Sequence, residues 1–359
     1  MRRIGNLFEK ITSTETLQLA YKMSRKGKTK KALVKMVDAN PEKYLSAIRE
    51  SLINKTYKTS EYRRFMLRER GKNREVVDLP YYPDRIVHWA VMLHIEPIFL
   101  RHFIHDTYAA IPGKGSHKAL KKLHKFMKTD KEGTKYCLKL DVKKYFNNID
   151  KENLKKMLRR YIKCSDTLWL LDEIIDSYPQ GIPIGNYTSQ YFGNFYLSEF
   201  DHWIKEVKHI KYYLRYMDDL IILASTKEEL HKLRLDIAEY LSKLGLELKK
   251  NYQVFPTAIR GVDYVGYRSF YGYTLLRKAT KKRMKKSTRA IQRRVDEKQE
   301  LTSKNLGAYA SYNGILQHCS SFRLRENSLS KVEKYVKKEI SKCRITKKSS
   351  EVKQTSQKK

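Results

Sequence analysis

The stretch that most constrains this chain is Lys211–Ser225, KYYLRYMDDLIILAS, in which short runs of Tyr, Leu, Ile and Arg flank Met217-Asp218-Asp219. Alternating aromatic and branched residues favour extended strands, so the two runs predict a β-hairpin with the carboxylates at its tip. Adjacent aspartates in so apolar a hairpin are costly to bring together unless something positive sits between them. Divalent cations held by carboxylate oxygens are the usual answer. One more carboxylate on a neighbouring strand would complete a two-metal site.

Tyr136–Phe146, YCLKLDVKKYF, supplies a candidate. Tyr136, Leu138 and Leu140 alternate with Cys137, Lys139 and Asp141, the pattern of a strand that ends in an aspartate. Asn147-Asn148-Ile149-Asp150 then reads as a turn, with Asp150 suited to cap the next helix. Alone, Asp141 is as well explained as a cap or surface residue; beside Asp218 and Asp219 it is the missing ligand. A third stretch, Gln180–Phe200, QGIPIGNYTSQYFGNFYLSEF, begins as a glycine-bearing loop that Asn186 or Thr188 could cap as a helix opens. Such a loop lets backbone approach a nucleotide, or simply closes a tight helix contact. Gly193 within that helix predicts close packing against a strand or substrate.

Composition narrows the partner. Lys and Arg number 76 against 39 Asp and Glu, a formal net charge of +37, and such a surface suits a polyanion, nucleic acid first. The 26 tyrosines offer rings for base stacking, although most belong in a core that 41% hydrophobic content can fill. Cys137, Cys164, Cys319 and Cys343 lack zinc spacing and read as reduced thiols. Neither a signal peptide nor a membrane-length apolar run is evident, which predicts a cytoplasmic protein with no membrane partner.

Residues 1–60 read as helical and basic, with six Lys and Arg residues in Lys22–Lys31 and a helix start at Pro41. Arg63–Arg85 reads as two strands around a Gly71-Lys72-Asn73 turn, ending at Pro80. Its Arg64, Arg68, Lys72 and Arg74 either grip phosphates or form an ordinary solvated face. Asp84–Phe103 has helical periodicity, with Ile86, Ala90, Leu93 and Ile95 near one face and Pro97 expected to kink or divide it. In Ile111–Leu120, IPGKGSHKAL, the phosphate-loop spacing GxxxxGKS is absent, and Ser116 reads as a helix cap. Arg277–Arg294 holds ten Lys and Arg residues without an acid, and Asn305–Cys319 predicts a second helix packed on it.

Taken in order, these stretches resemble the reverse transcriptase family from about Arg64 to Phe270. LKLDVKKYF resembles its first palm motif, with Asp141 as metal ligand and Phe146 as the steric-gate aromatic that excludes a ribose 2′-hydroxyl. RYMDD is similar to the second metal motif, LGLELKKNYQVF at Leu244–Phe255 to the next, and GVDYVGYRSF at Gly261–Phe270 to the primer-grip region. The resemblance implies an α+β right-hand polymerase, with fingers, a palm built on antiparallel sheet, and a helical thumb. Asp141, Asp218 and Asp219 would be catalytic and, with Val142, would hold two Mg²⁺ ions, Mn²⁺ being a substitute. Arg74 would touch the incoming triphosphate, and Ile184, Gly185, Gln190, Tyr216 and Met217 would line the nucleotide site. Lys249 or Lys250 would give a proton or charge to the leaving group, or lie on a solvated face. Arg277, Lys281, Lys282, Arg283, Lys285 and Lys286 would ride the template–primer backbone, alongside Arg64, Arg68 and Lys72.

The domains implied are 1–60, a basic helical extension; 61–135, fingers; 136–275, palm; 276–339, thumb; and 340–359, a basic tail, disordered or RNA-binding. One departure is informative. Where most reverse transcriptases carry Gln-Gly followed by Ser-Pro, this chain has Ile184-Gly185 followed by Ser189-Gln190. That form, with NYQVFP at Asn251–Pro256, resembles reverse transcriptases of bacterial and phage diversity-generating retroelements. The resemblance implies error-prone copying of a template-repeat RNA into adenine-mutagenised cDNA, from dNTPs, on an RNA/DNA or cDNA primer duplex. It also implies a small, basic, oligomeric accessory variability protein as partner. The alternatives are a retron or phage-defence reverse transcriptase and, less well matched, a group II intron maturase. A further alternative is a catalytically idle RNA-binding protein on a polymerase scaffold.

Overall fold

The structure, a computed structural model, describes residues 3–69 and 72–342, with backbone alone for 68, 69 and 72–74. It divides into two compact units. The first joins the chain up to Ala119 with Leu138–Val254; the second joins Leu120–Cys137 with the chain from Phe255 onward.

The first unit opens on helices Leu7–Ile11, Thr14–Arg25, Ala32–Ala39 and Pro41–Ile53. Pro41 sits in the first turn of its helix, where its missing N–H is not needed, and Asn40 accepts the Lys43 amide at 3.2 Å. Strands β1 (Arg63–Glu69) and β2 (Lys72–Asp78) form an antiparallel hairpin that pairs Arg64 with Val77. The expected turn is only partly visible: Gly71 lies outside the described residues, and Lys72 and Asn73 already belong to β2.

Helix Ile86–His102 departs from expectation by running through Pro97 without dividing. Pro97 is exposed, so the carbonyl it deprives of a helical donor lies on the water side. Nor is the apolar face a narrow stripe. Ile86, Val87, Ala90, Val91, Met92, Ile95, Ile98 and Phe99 are all buried, and this helix is a central core element. Phe99 stacks on Phe195 with centroids 4.6 Å apart and meets Phe192 edge-on. The aromatic residues of helix Tyr187–Tyr196 therefore fix where the loop before that helix can lie.

Strands β3 (Tyr136–Asp141), β4 (Tyr212–Tyr216), β5 (Asp219–Ala224) and β6 (Gln253–Pro256) form a sheet in the order β4-β5-β3-β6. β4 and β5 are antiparallel, Tyr216 opposite Asp219, which is the hairpin expected from the sequence. Leu220, Ile221, Ile222 and Leu223 are all buried, so both faces of β5 are covered.

In the second unit, strands β7 (Val262–Tyr264), β8 (Tyr267–Ser269) and β9 (Thr274–Leu276) form an antiparallel sheet in chain order. Helix Lys278–Asp296 buries Met284, Thr288 and Ile291 and turns its cations to water, and Ser303–Leu316 packs beside it as expected. Met284, Ile291, Tyr309 and Leu316 share a core with Leu329, Val332 and Val336. Residues 330–342 are helical and Ile340 packs on that core, so the start expected for the basic tail falls within a helix; 343–359 lie outside the described residues. Met284→Ala should cost about 2–5 kcal/mol, read by urea unfolding of the second unit's tertiary signal. A change below about 0.5 kcal/mol would contradict this core.

Candidate active site

The site is built where β3 runs out beside the β4–β5 turn. Asp141 ends β3, and the next residue, Val142, gives its amide to the backbone carbonyl of Asp218 at 3.3 Å. On its other side Val142 bridges to Leu248, and the Lys249 amide donates to the Asp141 backbone carbonyl at 2.9 Å. Asp141 is thus pinned by backbone bonds between the turn holding Asp218 and the segment holding Lys249. The turn depends on Met217, which adopts the left-handed conformation at φ 57°, uncommon for a residue with a β-carbon. That conformation turns the chain between Tyr216 and Asp219, with Asp218 in the turn.

The electrostatics follow from the crowding. Burial pushes the Asp218 carboxyl up to about 6; the Asp141 charge adds to the rise, Asp219 adds less, and Lys249 opposes it. Two lysines answer the negative charge: Lys249 Nζ pairs directly with Asp141, and Lys139 Nζ lies 3.7 Å from Asp219. Among the described residues, no three acidic, histidine or cysteine side chains are gathered closely enough to enclose an ion by themselves. Mg²⁺ does not require such a cage, since it commonly takes one or two carboxylates plus water and substrate phosphates. The donors present fit that pattern, being hard carboxylate oxygens gathered closely enough to perturb one another, with an ammonium already resting on Asp141.

The predicted nucleotide loop meets the same place. The Ile182 amide donates to the Phe146 carbonyl at 2.9 Å, and Tyr145 Oη donates to the Gly193 carbonyl. Gly181 has φ 61°, and a β-carbon there would lie 2.2 Å from the Phe146 carbonyl oxygen. A β-carbon on Gly193 would lie 3.2 Å from the Phe146 ring and 3.4 Å from Met217 Sδ. Close packing at Gly193 was expected from the sequence, and its neighbours are Phe146, Tyr145 and the hairpin turn. Gly185, at φ 136°, leaves no room for a β-carbon against the Val77 carbonyl of β2. Ile184 beside it is 45% exposed, an apolar side chain offered to solvent. Asn186 occupies the N-cap position but gives its amide to Tyr62 Oη at 2.8 Å, leaving the capping role undone. Helix Ser116–Thr129 likewise begins with Ser116 inside it.

Other candidates scatter. Tyr216 and Met217 are half-buried at the turn, whereas Gln190 and Lys250 are exposed. Arg64 is exposed and 3.5 Å from Glu75, while the side chains of Arg68, Lys72 and Arg74 lie outside the described residues. Lys281, Lys282, Arg283, Lys285 and Lys286 are exposed along their helix. Arg277 differs, pairing with Asp263 at the root of that helix. Sequence reasoning missed Lys139 and the wholly buried Arg215–Asp201 pair, with N···O 2.6 Å. The signal for the second was an arginine inside the apolar run YYLRYM.

Residues 58–269 match the family Reverse transcriptase (RNA-dependent DNA polymerase), and the chain belongs to that family. It is therefore of the nucleotidyltransferase class, and the family's right-hand α+β polymerase fold accounts for the mixed helices and antiparallel sheet. The family uses divalent metals such as Mg²⁺ and works on an RNA template with a nucleic-acid primer. Among similar proteins, YkfC of Escherichia coli (strain K12) is 24% identical over 65% of this chain and 73% of its own length. Group II intron-encoded protein LtrA of Lactococcus lactis subsp. cremoris is 26% identical over 52% of this chain, which spans 32% of LtrA. Nuclear intron maturase 4, mitochondrial, of Arabidopsis thaliana is 24% identical over 56% of this chain and 25% of its own length. Of solved structures, apo telomerase from Candida tropicalis aligns with TM-score 0.42 and 11% identity over 66% of this chain and 52% of that chain. Among the described residues, no helix is long and apolar enough to cross a membrane.

Gly181→Ala tests how tightly the loop is held. With φ 61° and the Phe146 carbonyl in the way, it should destabilise by more than about 1 kcal/mol in urea unfolding. An unchanged midpoint would mean that the loop does not sit on Phe146.

Proposed function

We propose that the chain copies RNA into DNA, with Asp141 and Asp218 holding divalent ions and Asp219 adding charge beside them. The observation that carries this is the backbone bond between Val142 and Asp218, which joins the two strand ends whose carboxylates crowd together. Ions bound there would neutralise the triphosphate and ease ionisation of the primer 3′-hydroxyl. The chain's own groups do the positioning. Phe146, half-buried beside Gly193, is suited to crowd a ribose 2′-hydroxyl. Lys249, now paired with Asp141, is suited to give charge or a proton to a leaving group there, and the exposed cations of Lys278–Asp296 suit a nucleic-acid backbone. Arg74 and Lys72 are proposed contacts on sequence grounds alone.

We further infer that the enzyme serves a diversity-generating retroelement, together with a small basic accessory protein. The support is the loop IGNYTSQ: Ile184 takes the sequence position at which most of the family carries a glutamine, and it is exposed beside Gly185, which packs against the Val77 carbonyl. Losing about 1.4 kcal/mol of discrimination there raises errors about tenfold. A second reading, a group II intron or retron-type enzyme, is supported by the similarity to LtrA. Cytoplasmic location in a bacterial or phage-infected cell accompanies either reading.

Primer extension on a defined RNA template with Mg²⁺, sequenced base by base, tests these proposals. Asp218→Asn should lower extension by about 10³-fold or more while template–primer binding persists; continued synthesis would remove the site assignment. Errors should concentrate opposite template adenines, and Ile184→Gln should reduce them about tenfold. Faithful synthesis by the unaltered protein would instead favour the intron or retron reading.

A further inference from the structure

Arg215 is the largest wholly buried side chain among the described residues, and it lies three positions before Asp218. Its Nε donates to both Asp201 oxygens at 2.8 and 3.0 Å, and Nη2 donates to Asp201 Oδ2 at 2.6 Å and to the Asn194 carbonyl at 3.2 Å. Nη1 donates to Asn194 Oδ1 at 3.1 Å and to the Met217 carbonyl at 3.0 Å. Asp201 also accepts from Tyr213 Oη at 2.6 Å and Thr107 Oγ1 at 2.9 Å. Asn194 is anchored in turn, donating to the Ala109 carbonyl at 2.7 Å.

A buried ion pair is a poor way to gain stability, since well-packed apolar side chains of similar volume often do as well or better. An apolar pair, however, could not donate to the Met217 carbonyl. Met217 holds the left-handed conformation at φ 57°, and the next carbonyl along, that of Asp218, takes the Val142 amide. The turn is thus tied at two successive carbonyls, one to Arg215 and one to the strand that bears Asp141. Through Asn194 the same guanidinium reaches the helix Tyr187–Tyr196, directly after the loop that carries Ile184.

We propose that Arg215 is a positioning residue: its planar fork, charge-balanced by Asp201, locks the Met217 turn and sets the Asp218 carboxylate against Asp141, in register with the nucleotide-loop helix. This rests on the reading of Asp218 as a metal ligand. A lysine would keep the charge opposite Asp201 but lacks the fork that spans Asp201, Asn194 and Met217 together.

The test uses the full chain carrying Arg215→Lys. In the metal-free protein, hydrogen exchange across Tyr216–Leu220 should quicken about tenfold or more, beyond any quickening elsewhere in the first unit, while template–primer binding stays close to wild type. With Mg²⁺, kcat should fall about 10- to 100-fold with little change in the KM for dNTP. The ratio of Mn²⁺- to Mg²⁺-supported rates should rise, because Mg²⁺ demands the stricter ligand geometry. Wild-type exchange and kcat would overturn the proposal, as would a loss of activity that merely tracks a lowered melting temperature. If the lysine variant does not fold, Arg215→Gln combined with Asp201→Asn leaves no unpaired buried charge but removes the fork that reaches the Met217 carbonyl, and should show the same local exchange and kcat pattern; wild-type values there would overturn it equally. Primer extension by Asp218→Asn would sink the carboxylate reading while leaving the metal-free exchange result standing, so the two failures are distinguishable.

Discussion

The first unit depends on holding like charges together. Asp141 and Asp218 sit close enough that burial and mutual repulsion raise the second carboxyl to about 6. Side chains alone would relieve this by moving apart. Backbone prevents it: Val142 bonds to Asp218, Lys249 to Asp141, and the Val142–Leu248 bridge closes the set. Peptide groups hold the strand ends in place, while the ammonium groups of Lys249 and Lys139 offset part of the negative charge gathered there.

That arrangement explains why the surrounding residues are small or strained. Gly181 and Gly193 admit Phe146 and the hairpin turn at distances that a β-carbon would forbid or crowd. The left-handed turn at Met217 is held by the Arg215 guanidinium, which donates to the Met217 carbonyl. Gly185 packs closely against the Val77 carbonyl of β2, and the Ile182 amide bonds to Phe146, so the loop carrying Ile184 runs between the β1–β2 hairpin and Phe146. Local strain at these positions is supported by a well-packed aromatic core around Phe99, Phe192 and Phe195.

Much of this was legible in the sequence because it is local. YMDD between two apolar runs can hardly be anything but a hairpin tip, and alternation in YCLKLD marks a strand ending on an acid. Pro97 misled because sequence does not say which side of a helix faces water, and there the lost bond is cheap. Asn186 misled because its partner, Tyr62, is 124 positions away. The Arg215 network was invisible for the same reason. Arg215 announces itself as an oddity in YYLRYM, but Asp201, Asn194 and Thr107 come from separate segments that only the packed unit brings together.

The chain's two kinds of charge have different physical roles. Exposed cations such as Lys281, Lys285 and Lys286 face water, where any pull on a polyanion is collective, sequence-independent and weakened by salt. At Asp218 the field is set first by burial and then by Asp141, and salt screens such a partly buried group less. On the proposed reading, holding a polyanion and reacting with it are therefore separable in this protein. A net charge of +37 can draw in nucleic acid of any sequence, while the placing of Asp141 against Asp218 rests on a few short-range bonds, from the Val142 amide and from Arg215.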